Sequence, residues 1–138
     1  MTAAARILAV DYGDRRTGLA ATDYTGTIIS PLPLVEAASA AKCAEAVGEL
    51  ARERETQLIV VGLPLTNRDE EGPRAQRTRG FINLLEKHCS CPITTMDERY
   101  STDEAHDLLK QAGLKAARRK QLADSTAAVI ILQRYLSQ

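Results

Sequence analysis

The hydrophobic pattern of the chain changes its period near residue 37, and this change limits the available folds more than any other feature. Before that point, apolar runs over residues 7–10 and 17–22 are joined by short polar segments. Links this short favour an antiparallel meander of strands. A third predicted strand begins at Thr27 and is broken by two prolines, which is typical of a sheet edge.

Beyond this change the pattern alternates between helices and strands. Cys43, Val47 and Leu50 stand at helical spacing on one face. The order β-β-β-α-β-α-β-α-α predicts an α/β fold in which helices cover the faces of a mixed sheet. The predicted later elements are a helix within residues 37–55, strands over residues 58–62 and 92–96, a helix opening at Pro73, a helix over residues 101–112, and a last helix that begins between Ala117 and Asp124 and ends near Leu136.

Length and hydropathy indicate a globular protein of ordinary type. A chain of 138 residues predicts one domain over residues 1–138. The apolar fraction of 44% argues against disorder, and no apolar run approaches the ~20 residues of a membrane span. The first residues lack the pattern of a signal peptide. We therefore expect a cytoplasmic protein without a membrane partner.

The charged residues and the cysteines narrow the function classes. The 18 basic and 18 acidic side chains balance, which sets the chain apart from strongly basic nucleic-acid-binding domains. An odd number of cysteines (Cys43, Cys89 and Cys91) indicates reduced thiols. His88 precedes two of them and would complete half of a zinc site, but a second ligand cluster is missing. A loop with half-buried thiols is the favoured interpretation.

Three acidic positions stand out in a sequence without a P-loop, a dinucleotide-binding glycine motif or a nucleophile elbow. Asp11 ends the first predicted strand, at the edge where open α/β sheets collect ligands. Asp97 and Glu98 follow a later strand, and Asp124 lies where the chain turns apolar. Each has a structural alternative. These are a turn residue at Asp11, a polar loop beside Arg99, and a helix N-cap at Asp124.

Taken together, these acids predict a site for divalent metal. Carboxylate oxygens are the ligands that Mg²⁺ and Mn²⁺ prefer, and two such ions ~4 Å apart activate water for phosphodiester cleavage. Adjacent residues of a strand point to opposite faces of the sheet. At most one of Asp97 and Glu98 can therefore share a site with Asp11.

Four segments, spread over residues 6–136, resemble the YqgF/RuvX family of pre-16S rRNA nucleases. They are D-Y-G-D-R-R-T-G-L-A from Asp11, V-G-L-P-L with the later E-G-P-R-A, D-E-R-Y-S-T from Asp97, and D-S-T-A-A-V-I-I-L-Q from Asp124. The family is related in fold to the Holliday-junction resolvase RuvC. The resemblance implies a ribonuclease-H-like fold with a five-stranded sheet of order 3-2-1-4-5 and helices on both faces. One loop departs from the family, because Thr66-Asn67-Arg68-Asp69 stands where N-M-D-G is usual.

The resemblance also implies roles for individual residues. Catalysis and binding of Mg²⁺ or Mn²⁺ fall on Asp11, Glu98 and Asp124, with Asp97 as second choice for the middle position. Affinity for nucleic acid follows the phosphates neutralised at the interface, so a chain without net charge can still bind it. The expected phosphate contacts are Arg15, Arg16, Arg74, Arg77, Arg99, Arg118 and Arg119.

The implied function is processing of the 5′ end of pre-16S rRNA during ribosome biogenesis, by a monomer or a homodimer. One alternative is a nuclease for structured or single-stranded DNA, including a Holliday-junction resolvase in repair and recombination. Another is a non-catalytic nucleic-acid-binding factor in ribosome assembly. The Asp11-x-Gly13 turn also resembles the phosphate loop of actin-like ATPases, but those proteins pair two such domains and this chain has room for one.

Overall fold

A computed structural model describes residues 6–66, 68, 70–98 and 116–138, which contain five strands and three helices. The strands are β1 (Ile7–Asp11), β2 (Arg16–Thr22), β3 (Ile29–Glu36), β4 (Leu58–Leu63) and β5 (Ile93–Asp97). The helices are α1 (Ala40–Glu53), α2 (Pro73–Leu85) and α3 (Ala116–Leu136). None of the helices in this part of the chain combines the length and the apolar character that a membrane crossing requires.

The strands form one mixed sheet in the order β3-β2-β1-β4-β5. β1, β2 and β3 pair antiparallel, as the short links between them predict. β4 and β5 join parallel to β1, with Val10 opposite Val61 and Leu63 opposite Asp97. The predicted order 3-2-1-4-5 is therefore confirmed, and the carboxyl ends of β1, β4 and β5 lie at one edge of the sheet.

The two faces of the sheet bury separate cores. Leu8 and Val10 pack with α1 and α2, whereas Ile7 and Ala9 pack with α3, because successive side chains of a strand alternate. By the same alternation Asp11 projects on the α3 face.

The last helix crosses its face of the sheet from one edge to the other. Near its middle, Ser125 Oγ donates to the Leu32 carbonyl of β3 at 2.9 Å. Near its end, Arg134 Nη1 donates to the Asp97 carbonyl of β5 at 3.3 Å. One helix therefore contacts all five strands.

The bounds of β3 and α3 differ from the predictions. β3 begins at Ile29 rather than Thr27 and continues through Pro31 and Pro33, which an edge strand tolerates because one row of its backbone groups is unpaired. α3 begins at Ala116, before the predicted window. Position 124 therefore lies inside the helix, and the N-cap alternative for Asp124 is wrong. The helix predicted over residues 101–112 lies outside the described residues.

Candidate functional site

Asp11 and Glu98 come from strands on either side of β4. Asp11 is the last residue of β1, and Glu98 directly follows β5. The Glu98 amide donates to the Leu63 carbonyl at 3.2 Å, which continues the β4–β5 pairing by one residue. Met96 packs in the core on the α3 side of the sheet. Glu98, two residues later, therefore lies on the same face as Asp11, whereas Asp97 lies on the opposite face.

Gly62 of β4 provides the space between the two acids. A Cβ added there would lie 2.8 Å from Glu98 Oε2 and 2.5 Å from Ile131 Cδ1. The Glu98 carboxyl thus crosses over β4 where β4 has no side chain. Sequence analysis missed this residue, although a glycine inside an apolar strand is itself a signal of close approach.

The two carboxyl groups form one buried, coupled unit. Only 7% of Glu98 is exposed, and its carboxyl donates a hydrogen bond to Asp11. Burial, followed by that hydrogen bond and the Asp11 charge, raises the pKa of Glu98 to about 10, while Arg74 opposes the shift. Without a cation, the pair therefore retains a proton at neutral pH.

One oxygen of this pair has no hydrogen-bond partner among the residues that the structure describes. Glu98 Oε1 is buried and accepts no hydrogen bond within the described part of the chain. Burying such an oxygen is costly unless a donor or a cation meets it. Two carboxyl groups in contact, one with an unbonded oxygen, are the hard donor set that fits Mg²⁺ or Mn²⁺.

The structure brings together two of the three predicted metal ligands. For Asp124 only the backbone position is described, one helical turn before Ala128, which packs against the sheet. Among the side chains that are described, no three His, Cys, Asp or Glu residues are grouped as metal ligands. Cys89 and Cys91 are half-buried free thiols.

Basic side chains lie at the same edge of the sheet. Arg74 and Arg77 are exposed in the first turns of α2, and with Tyr12, Gly13, Asp14 and Thr78 they line a recess of about 60 Å³. Arg77 Nε lies 3.7 Å from Asp14 Oδ1. Arg15 and Arg16 are exposed just before and at the start of β2. The side chains of Arg99, Arg118 and Arg119 lie outside the described residues.

The strand order and the helices on both faces define a ribonuclease-H-like fold. Two solved structures share it. The fowlpox virus resolvase, in complex with Holliday junction DNA, is 12% identical, covers 96% of this chain and 97% of its own, and has a TM-score of 0.61. RuvC of T. thermophilus, with a Holliday junction substrate, is 18% identical, covers 95% and 92%, and has a TM-score of 0.59. At these identities the likeness concerns the fold alone.

Sequence comparison places the chain more narrowly. The RuvX family, described as Holliday junction resolvase, matches residues 5–138, and the chain belongs to it. A protein of Chloroflexus aurantiacus named "Putative pre-16S rRNA nuclease" is 41% identical over 94% of this chain and 85% of its own. A protein of the same name from Thermoanaerobacter pseudethanolicus is 38% identical over 95% of both chains. The resemblance found in the sequence motifs is thereby confirmed.

Proposed function

We propose that the protein is a divalent-metal-dependent nuclease that hydrolyses phosphodiester bonds in RNA, at the 5′ end of the 16S rRNA precursor. The contact between Asp11 and Glu98, with its unbonded buried oxygen, carries this proposal. The names of the relatives support the choice of RNA.

Asp11, Glu98 and Asp124 would hold the metal, and Mg²⁺ or Mn²⁺ would supply a Lewis acid and an acidified water molecule. The residues of the chain do the remaining work. The two described acids would give up their shared proton on binding the cation. Arg74 and Arg77, at the same edge of the sheet, would neutralise phosphates and orient the scissile bond.

The test is cleavage of a structured RNA that carries the 5′ precursor sequence, with Mn²⁺ or Mg²⁺ present. Asp11→Asn and Asp124→Asn keep the size of each side chain and remove its charge, so both should lose at least ~100-fold in rate if they hold the metal. Glu45→Gln removes an exposed carboxylate on α1 and should cleave like the wild type. Activity that survives both aspartate substitutions would refute the proposal.

A second candidate has an observation of its own. The family is described as Holliday junction resolvase, and two resolvases share the fold. Resolution of a four-way junction usually requires two active sites related by a twofold axis. Junction DNA should therefore be offered beside the RNA, with the oligomeric state measured by light scattering. A dimer that cuts junctions faster than RNA would favour this alternative.

A further inference from the structure

A buried hydroxyl lies behind the turn that carries Asp11. Thr17, near the start of β2, is only 1% exposed and lies on the side of the sheet covered by α1. Residues 12–15 connect Asp11 to β2. Only Tyr12 separates Asp11 from Gly13 along the chain. A shift of the backbone at Gly13 would therefore also shift Asp11.

Thr17 Oγ1 is hydrogen-bonded to both backbone groups of Gly13. It accepts from the Gly13 amide at 3.3 Å and donates to the Gly13 carbonyl at 3.4 Å. Cys43 Sγ of α1 lies 3.3 Å from the same oxygen. Burial raises the pKa of the Cys43 thiol, so the thiol keeps its proton and can donate. The Thr17 hydroxyl then donates its proton to the Gly13 carbonyl and accepts one hydrogen bond from the Gly13 amide and one from the Cys43 thiol, which uses its full hydrogen-bonding capacity.

The turn is also held by its shape. A Cβ on Gly13 would lie 2.3 Å from the Arg16 carbonyl oxygen, so residue 13 must be glycine for the chain to turn this tightly. The Tyr12 ring stacks on Phe81 of α2 with centroids 4.4 Å apart. The stacking locates the turn against α2, whereas Thr17 fixes the peptide groups of Gly13 themselves.

We infer that Thr17 is a positioning residue for metal binding by Asp11. The inference rests on the metal site of the proposed function, because it assigns Asp11 to the metal. By holding both peptide groups of Gly13, the hydroxyl keeps the end of β1 in the orientation in which Asp11 meets Glu98. Partners behind a metal ligand typically influence affinity or activity 10–100-fold.

The experiment compares Thr17→Val, which keeps the shape and removes the hydroxyl, with Thr17→Ser, which keeps the hydroxyl. Calorimetric Mn²⁺ titration should show affinity reduced about 10-fold in the valine variant and nearly unchanged in the serine variant. In RNA cleavage at fixed, subsaturating Mn²⁺, kcat should fall with KM for RNA unchanged. Val47→Ala, which truncates a buried side chain on α1, controls for lost stability.

The outcomes separate this inference from the proposed function. If Thr17→Val is destabilised like Val47→Ala but binds Mn²⁺ like the wild type, the role of Thr17 is structural only and the inference fails, whatever the cleavage assay shows. If the wild type binds Mn²⁺, cuts no nucleic acid, and loses affinity on Thr17→Val, the proposed function fails and the inference stands. A wild type that binds no Mn²⁺ overturns both.

Discussion

Gly62 and Glu98 are in contact across the β4–β5 pair, with Glu98 Oε2 2.8 Å from the place that a Cβ of residue 62 would occupy. A side chain at residue 62 would therefore meet two neighbouring side chains, Ile131 and Glu98, and not the backbone of β4. Asp11 ends β1 and Glu98 follows β5, so the two residues flank β4. Their carboxyl groups meet over Gly62 because β4 has no side chain there.

Gly62→Ala should fill the space over β4 in which the two carboxyl groups meet. The new methyl group would displace the Glu98 carboxyl and the Ile131 terminus, which lies 2.5 Å from it. We expect a loss of about 1–3 kcal/mol in the free energy of unfolding, as for overpacked cores, and Mn²⁺ affinity reduced at least ~10-fold. Urea unfolding and calorimetry measure the two effects.

Gly80→Ala is the matched control for that substitution. Gly80 is exposed within α2, and nothing lies within 4 Å of its added Cβ. This variant should gain about 0.5–1 kcal/mol of stability, because alanine favours the helix, and should bind Mn²⁺ normally. Equal Mn²⁺ affinity in the two alanine variants would contradict the role given to Gly62.

The stability of the metal-free protein should fall as pH rises. The pKa of Glu98 is about 10 in the folded chain against an ordinary value of 4.5. Above pH 4.5 the Glu98 carboxyl loses its proton in the unfolded chain but keeps it in the folded chain. The contribution of Glu98 to the free energy of unfolding is therefore complete below about pH 4.5 and is lost progressively as pH rises toward about 10. Glu98→Gln should weaken this dependence between about pH 6 and 9, as urea unfolding in EDTA would measure.

Metal binding should release protons from the same pair. A Mn²⁺ ion can bind between the two carboxyl groups only if their shared proton leaves. The affinity for Mn²⁺ should therefore rise with pH. Calorimetry in buffers of different ionisation enthalpy should detect release of about one proton per ion near neutral pH. Glu98→Gln should release none. Proton release equal to that of the wild type would show that the metal binds elsewhere.

Features of the fold and of the site can be predicted from the sequence where neighbouring residues along the chain indicate them. Asp11 was identifiable because a carboxylate directly followed four apolar residues, and the strand order followed from the family resemblance. The role of Gly62 was not, since it requires the parallel register of β4 with β5 and the approach of Ile131 from α3. The bonds from Thr17 to Gly13 likewise depend on how tightly the turn closes.

Arg74→Ala should weaken RNA binding in a salt-dependent manner. Arg74 is exposed in the first turn of α2, close enough to oppose the pKa shift of Glu98, so its charge lies beside the two acids. In the Asp11→Asn background, which prevents cleavage, we expect the slope of log affinity against log salt to decrease by about 1, as for one lost phosphate contact. Arg79→Ala on the same helix is the control, because that guanidinium already donates to both Glu71 carboxylate oxygens, at 3.1 and 2.9 Å. Equal slopes for the two variants would mean that α2 attracts RNA by its overall charge and that Arg74 contacts no particular phosphate.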